Sequence, residues 1–239
     1  MNVNNEPVIF RALSHRGHVR PRNEDAVLAV PESGLWAVAD GMGGHACGDV
    51  ASRAVVDALQ GLAGGCRGPD LLRHLPATLE RVNGDLRQLA RRQAGTDIMG
   101  STVVALVLEA DNYHVYWAGD SRLYLLRNGG LHRLTRDHAL PPPEGRSQGP
   151  LTRAVGAGDT LEVESVQGHL YENDTFVLCS DGLTGVVPEG RIADLLVRYA
   201  PDQACHGLVQ AALDAGGPDN VSCIVVTVTK PAVGPGPGQ

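Results

Sequence analysis

No hydrophobic run in this 239-residue sequence approaches the ~18 residues that a membrane-spanning helix requires. The opening MNVNNEPVIF has neither a basic start nor an apolar stretch behind it, so no secretory signal is expected and the cytoplasm is the expected compartment. Concentrated positive charge is also missing. The net charge is -7, the pI is ≈ 5.7, and no Lys/Arg cluster stands out. Nucleic acid is therefore excluded as the main partner, because binding a phosphate backbone needs massed cations. An acidic protein can still bind phosphate if bound cations supply the charge. Cysteine is sparse: Cys47, Cys66, Cys179, Cys205 and Cys223 are odd in number, scattered and free of any CxxC pair. Such a set argues for reduced thiols rather than a disulfide framework. Cys179 and Cys223 lie in apolar runs and are expected as small core residues.

What the sequence does have is a repeated design. In LWAVADGMGGHACGD, residues 35–39 read as a short buried strand that delivers Asp40 to a turn built from Gly41, Gly43 and Gly44. The same pairing of strand, aspartate and glycine returns as Asp120 in AGDSR and Asp181 in SDG, and Asp219-Asn220 precedes a last apolar run. With 43% hydrophobic residues, a single domain over 1–230 is expected, followed by a disordered Pro/Gly-rich tail over 231–239. Strands are expected at 8–13, 26–30, 102–108, 113–118, 123–126, 131–134, 161–166, 175–179 and 223–228. A first helix runs from Val50 to glycines 61, 64 and 65. A second shows the stripe Leu75, Leu79, Val82, Leu86, Leu89, with Pro76 expected in its first turn. Helices are also expected at 192–199 and 204–215, and 138–158 reads as an exposed loop.

Neighbouring acids on a strand face opposite ways, so only one of Glu24 and Asp25 can join Asp40, Asp181 and Asp219 in a common site. Two carboxylates at 4 Å repel by ~4 kcal/mol at an effective dielectric near 20. If the strand ends converge, the cluster needs cations to stay ionised. Oxygen-only ligands favour Mg²⁺ or Mn²⁺. The residues by themselves thus point to an acidic metal site in an α/β or α+β domain.

The ordered set RPRNED, ADGMGGHACGDVAS, GST, AGDSR, LTRAVG, SDGLTG and GGPDNVS, over nearly the whole chain, resembles the PP2C-type (PPM) metal-dependent protein serine/threonine phosphatases, compact bacterial members above all. The resemblance implies an α+β fold, a four-layer α-β-β-α sandwich of two antiparallel sheets flanked by helix pairs. It implies two core Mn²⁺ or Mg²⁺ ions and a weaker third. Asp40 resembles the carboxylate that bridges both ions, with the Gly41 carbonyl on one of them. Asp181 and Asp219 resemble ligands of one ion, and Glu24 a ligand of the other. Asp25 resembles the adjacent acid that orders metal-bound water, and Arg20 the arginine that grips the substrate phosphate. Asn220 resembles a residue near the phosphate-binding end, and Asp120 a ligand of the third site. The implied reaction is hydrolysis of phosphoserine or phosphothreonine by a metal-activated water, so neither Cys47 nor a serine is needed as nucleophile. The implied partners are phosphorylated proteins and a Ser/Thr kinase whose work is reversed, and a monomer is expected.

Three departures from the family pattern stand out. Met42 occupies the place of a proposed general acid in eukaryotic members. Segment 140–150 is shorter than many bacterial flaps. Gly185 replaces a further aspartate. Two other readings stay open at this level: a catalytically weak binding module of the same fold, and a partner-switching phosphatase acting on anti-sigma-factor antagonists.

Overall fold

The computed structural model describes residues 8–43, 47–92, 99–141 and 149–229. The expected tail at 231–239, Gly44 and the middle of the 140–150 segment lie outside them. Chain order is β1 (Val8–His15), β2 (Asp25–Val30), β3 (Leu35–Gly43), α1 (Gly48–Gly65), α2 (Gly68–Arg92), β4 (Met99–Ser101), β5 (Val103–Glu109) and β6 (Asn112–Ala118). Then follow β7 (Arg122–Arg127), β8 (Gly130–Arg133), β9 (Glu164–His169), β10 (Thr175–Cys179), α3 (Asp181–Thr184), α4 (Glu189–Arg198), α5 (Pro201–Asp214) and β11 (Val221–Val228).

Two antiparallel sheets result, ordered β1-β11-β10-β7-β8 and β2-β3-β5-β6-β9, with β4 alongside β3. Alternation decides which residues face which layer. From β3, Trp36 and Val38 enter the core between the sheets with Val104, Leu106, Phe176 and Ile224. Leu35, Ala37 and Ala39 face the other way, onto Val55, Leu59, Leu75 and Leu79 of α1 and α2. The second sheet repeats this logic, with Val177, Cys179, Cys223 and Val225 beneath α4 and α5. Both cysteines are fully buried and free. The expected four-layer α-β-β-α sandwich is therefore the fold.

Four local expectations are corrected. Pro76 lies inside α2, which begins seven residues earlier than the leucine stripe suggested. A proline there leaves the Leu72 carbonyl without its helical donor, and the Tyr116 hydroxyl donates to it instead at 3.4 Å. The α2 stripe ends on buried Ala90, whereas Leu89 is exposed. The strand expected at 161–166 starts at Glu164, because Leu161 N–H donates to Glu80 Oε2 of α2 at 2.7 Å rather than to a sheet. Finally, parts of 138–158 are buried. His138 stacks on Trp117 with 6.1 Å between centroids, and Val155 exchanges 2.8 and 2.9 Å backbone hydrogen bonds with Ser101.

Candidate active site

Asp40 is held by its backbone before its side chain does anything. Its N–H donates to Thr102 Oγ1 at 3.1 Å, and its carbonyl accepts from Thr102 N at 2.9 Å and Ser101 Oγ at 3.1 Å. Thr102 Oγ1 in turn pairs with Ser121 Oγ at 2.7 Å. The GST and AGDSR motifs therefore meet behind one carboxylate. The expected glycine turn after Asp40 is not there: β3 runs on through Gly43, pairing Gly41, Met42 and Gly43 with Ser101, Gly100 and Met99. Glycine at 41 serves close approach instead. A Cβ there would stand 2.0 Å from the Gly48 carbonyl oxygen and 2.6 Å from that of Glu24.

The remaining acids arrive from four other places. Asp181 opens α3 directly after β10, and Asp219 lies just before β11, the neighbouring strand of the same sheet. Asp120 lies between β6 and β7. Glu24 and Asp25 diverge as alternation requires. Glu24 lines the cavity, while Asp25, paired in register with Asp40, turns behind it and accepts from Ser180 Oγ at 2.8 Å. The cavity measures ≈ 270 Å³. Arg20, Glu24, Asp40, Gly41, Asp120, Asp181, Asp219 and Asn220 all line it, together with Met42, Thr102, Gly149 and Leu151.

Crowding shows in the electrostatics. Burial raises the carboxyl pKa of Asp25 to about 6, of Asp181 to about 6 and of Asp120 to about 7, and neighbouring negative charges push the same way. Asp40 is raised well above the ordinary range by burial and then by Asp25 and Asp181. Glu24 is raised by burial and Asp49. Asp25 Oδ1, Asp49 Oδ1 and Asp181 Oδ1 are buried with no hydrogen-bond partner among the described residues. Among the described residues, no group of three His, Cys, Asp or Glu side chains is placed so that it could hold a metal ion without moving. One carboxylate is otherwise engaged: Arg20 Nη2 sits 2.6 Å from Asp219 Oδ2. Unpartnered buried oxygens beside a mutually repelling, oxygen-only set are what a hard cation would satisfy.

Two expected residues are already engaged by the protein itself. Asn220 does not offer its amide to a ligand. Nδ2 donates to the Arg16 and Arg22 carbonyls, each at 2.8 Å, and Oδ1 accepts from Glu24 N at 2.8 Å. It staples the 16–24 loop to the start of β11. Arg20 lines the cavity as expected, yet its guanidinium is occupied by Asp219. Thr102, Ser121 and Ser180 were missed as functional residues, although they stand inside the GST, AGDSR and SDG motifs.

Paired antiparallel sheets, helices outside and an acidic cleft where strands of both sheets end define the class of four-layer phosphatase sandwiches. A sequence profile described as Protein phosphatase 2C matches residues 14–214, and the chain belongs to that family. It is 35% identical over 231 residues to the serine/threonine protein phosphatase PstP of Mycobacterium tuberculosis, covering 92% of this chain and 45% of that one. The chain thus spans about half the length of that relative. With the serine/threonine phosphatase stp of Listeria monocytogenes it shares 32% identity over 232 residues, 88% of this chain and 92% of that one. The PstP catalytic domain, solved with 2 manganese ions, superposes with a TM-score of 0.84 at 35% identity, covering 93% and 98% of the two chains. PppA, described as a key regulatory component of T6SS in Pseudomonas aeruginosa, superposes with a TM-score of 0.86 at 39% identity, covering 92% and 97%.

Proposed function

We propose that the chain is a protein serine/threonine phosphatase that hydrolyses phosphoserine and phosphothreonine using Mn²⁺ or Mg²⁺. The observation that carries this reading is the lining of one cavity by Glu24, Asp40, Asp120, Asp181 and Asp219, with Arg20 beside them. The donors fit the ions: all are oxygens, they repel one another, and two of the aspartates in and behind the cavity leave a buried oxygen unpartnered. Asp40, Asp181 and Asp219 would hold one ion, and Asp40, Glu24 and the Gly41 carbonyl the other. Asp120 with Asp181 would hold a weaker third. Gly185, exposed at the end of α3, adds no side-chain oxygen to that site. Bound there, such ions lower the pKa of water and neutralise phosphoryl oxygens.

The chain's own groups do the rest. Arg20 offers a planar pair of donors to the phosphate dianion. Asp25, fixed by Ser180, keeps a second, buried oxygen without a partner, and from behind Asp40 it would order water held at the site. Thr102 and Ser101 hold the Asp40 backbone so that its carboxylate cannot drift. Met42 lines the cavity and has no proton to give, so it does not protonate the leaving group. The relatives named as serine/threonine phosphatases support the activity; a role opposing a Ser/Thr kinase, as a monomer in the cytoplasm, is part of the same proposal.

Assays on a phosphothreonine peptide test the reading. Turnover is expected with Mn²⁺ and none in EDTA, and Asp40→Asn or Asp219→Asn should cost more than about 100-fold. Full activity in metal-free protein overturns it. In calorimetric titration, Asp120→Ala should keep two tight sites and lose only the weak one, with slower turnover. Loss of a tight site would mean Asp120 belongs to the core pair.

A further inference from the structure

Arg20 has two claims on it. Its side chain is 53% exposed, yet Nη2 reaches 2.6 Å from Asp219 Oδ2, and Asp181 and Asp40 add attraction from further inside. The loop that carries it is fixed. Asn220 binds the carbonyls of Arg16 and Arg22, His18 N donates to the Gly217 carbonyl at 2.8 Å, and Gly17 lies so close to Asp219 that a Cβ would come within 2.1 Å of its carbonyl oxygen. Only the exposed side chain is left to move. We propose that Arg20 is the resident counter-cation of the acidic cavity, released to bind phosphate only when a divalent ion takes Asp219, so that anion binding is conditional on metal loading.

This deepens the phosphatase reading and rests on it. The physical reason is competition for one oxygen. A charge-assisted hydrogen bond of this length takes one lone pair of Asp219 Oδ2 and sets a guanidinium charge against the carboxylate an ion would use, whose Oδ1 already accepts from Asn220 N. With a divalent ion held by Asp40, Asp181 and Asp219, the single guanidinium charge would lose its partner and be repelled outward. The freed guanidinium then meets an incoming dianion beside the ions. Without ions, the cavity repels phosphate and keeps its arginine. The protein so avoids binding substrate before it can act on it.

The consequence is counterintuitive for a substrate-binding arginine. Removing Arg20 should tighten ion binding. Calorimetric titration of Mn²⁺ into metal-free native protein and Arg20→Gln is expected to show the Asp219 site about five-fold tighter in the variant, the scale of one partly exposed ion pair. Arg22→Gln, an equal change of charge on an exposed side chain of the same loop, should shift affinity less. Inorganic phosphate, titrated in the same way, should bind the Mn²⁺-loaded native protein and not the EDTA-treated one. Asp219→Asn, which frees Arg20 without metal, should gain phosphate binding in EDTA. Unchanged or weaker Mn²⁺ affinity in Arg20→Gln, or equal phosphate affinity with and without Mn²⁺, overturns the inference while leaving the phosphatase reading intact. Absence of any Mn²⁺ binding to the native protein overturns both.

Discussion

At the scale of residues, function and stability pull Asp40 in opposite directions. Its carboxyl is buried and pushed well above the ordinary range by burial and by Asp25 and Asp181, so keeping it charged without an ion is costly. Asp40→Asn removes that charge and keeps the shape. At pH 8 in EDTA the variant should be more stable than the native protein by on the order of 1 kcal/mol, or about 2–4 °C in Tm at this chain length. The same substitution should abolish the rise in Tm on adding Mn²⁺. Thermal melts of both proteins with and without ion check this, and a variant that melts lower than native in EDTA would mean that Asp40 is not under strain. The neighbours Glu24 and Asp25 show how far residue-level reasoning reaches. Alternation says that one of two adjacent acids faces the site; which one depends on Ser180 and Asn220, which lie about 155 and 196 positions away in sequence.

At the scale of elements, α2 carries a proline in its middle and a remedy from another layer. Tyr116 of β6 supplies the hydroxyl that the Leu72 carbonyl lacks. Tyr116→Phe should therefore cost about 1 kcal/mol, and Pro76→Ala should gain about 1–2 kcal/mol, the restored helix hydrogen bond outweighing the looser unfolded chain. In the double variant the tyrosine change should cost nothing further, since residue 76 then donates to Leu72 itself. Urea denaturation of the four proteins measures the coupling, and strictly additive effects would refute the remedy. Strand β3 teaches the complementary lesson. Its first five residues are apolar and legible as a strand, but its last residues look like a turn because glycine is the usual turn residue. Here glycine is required by the Gly48 and Glu24 backbones passing alongside, a contact that no local pattern announces.

At the scale of the whole molecule, the cavity makes stability depend on pH in an unusual sense. Asp120 near 7 and Asp25 and Asp181 near 6 lie above the ordinary carboxylate value, so the folded protein binds more protons than the unfolded chain. The stability that this lends is complete at acid pH and is lost as pH rises through 6 to 7. Between pH 8 and 6.5 these acids should lend metal-free protein about 1 kcal/mol on acidification, offset in part toward pH 6.5 by His138 and His114, whose pKa values burial lowers, for a net rise of roughly 1–3 °C in Tm. Mn²⁺ at ~100 times its dissociation constant should add about 2.7 kcal/mol, or roughly 5–10 °C, and flatten or invert the slope by keeping the carboxylates ionised. Scanning calorimetry at the two pH values, in EDTA and in Mn²⁺, decides it. A metal-free Tm that falls on acidification across this window would show that the acids do not share one site.

The sequence by itself determined most of the strands and helices, including the strands on either side of the Asn128-Gly129 turn, and, through ordered motifs, the family and its acidic residues. These are legible because periodicity, turn chemistry and motif order are written in neighbouring residues. Only the tertiary structure decided that Glu24 rather than Asp25 lines the cavity, that Asn220 is a staple, that Pro76 is tolerated inside a helix, and that Arg20 is held by Asp219. Each of these depends on a partner brought close by the packing of sheets and helices, over 44 to 204 positions of sequence. A hydrogen bond or charge pair acts over a few ångströms of space, and separation along the chain says nothing about that distance until the core has closed.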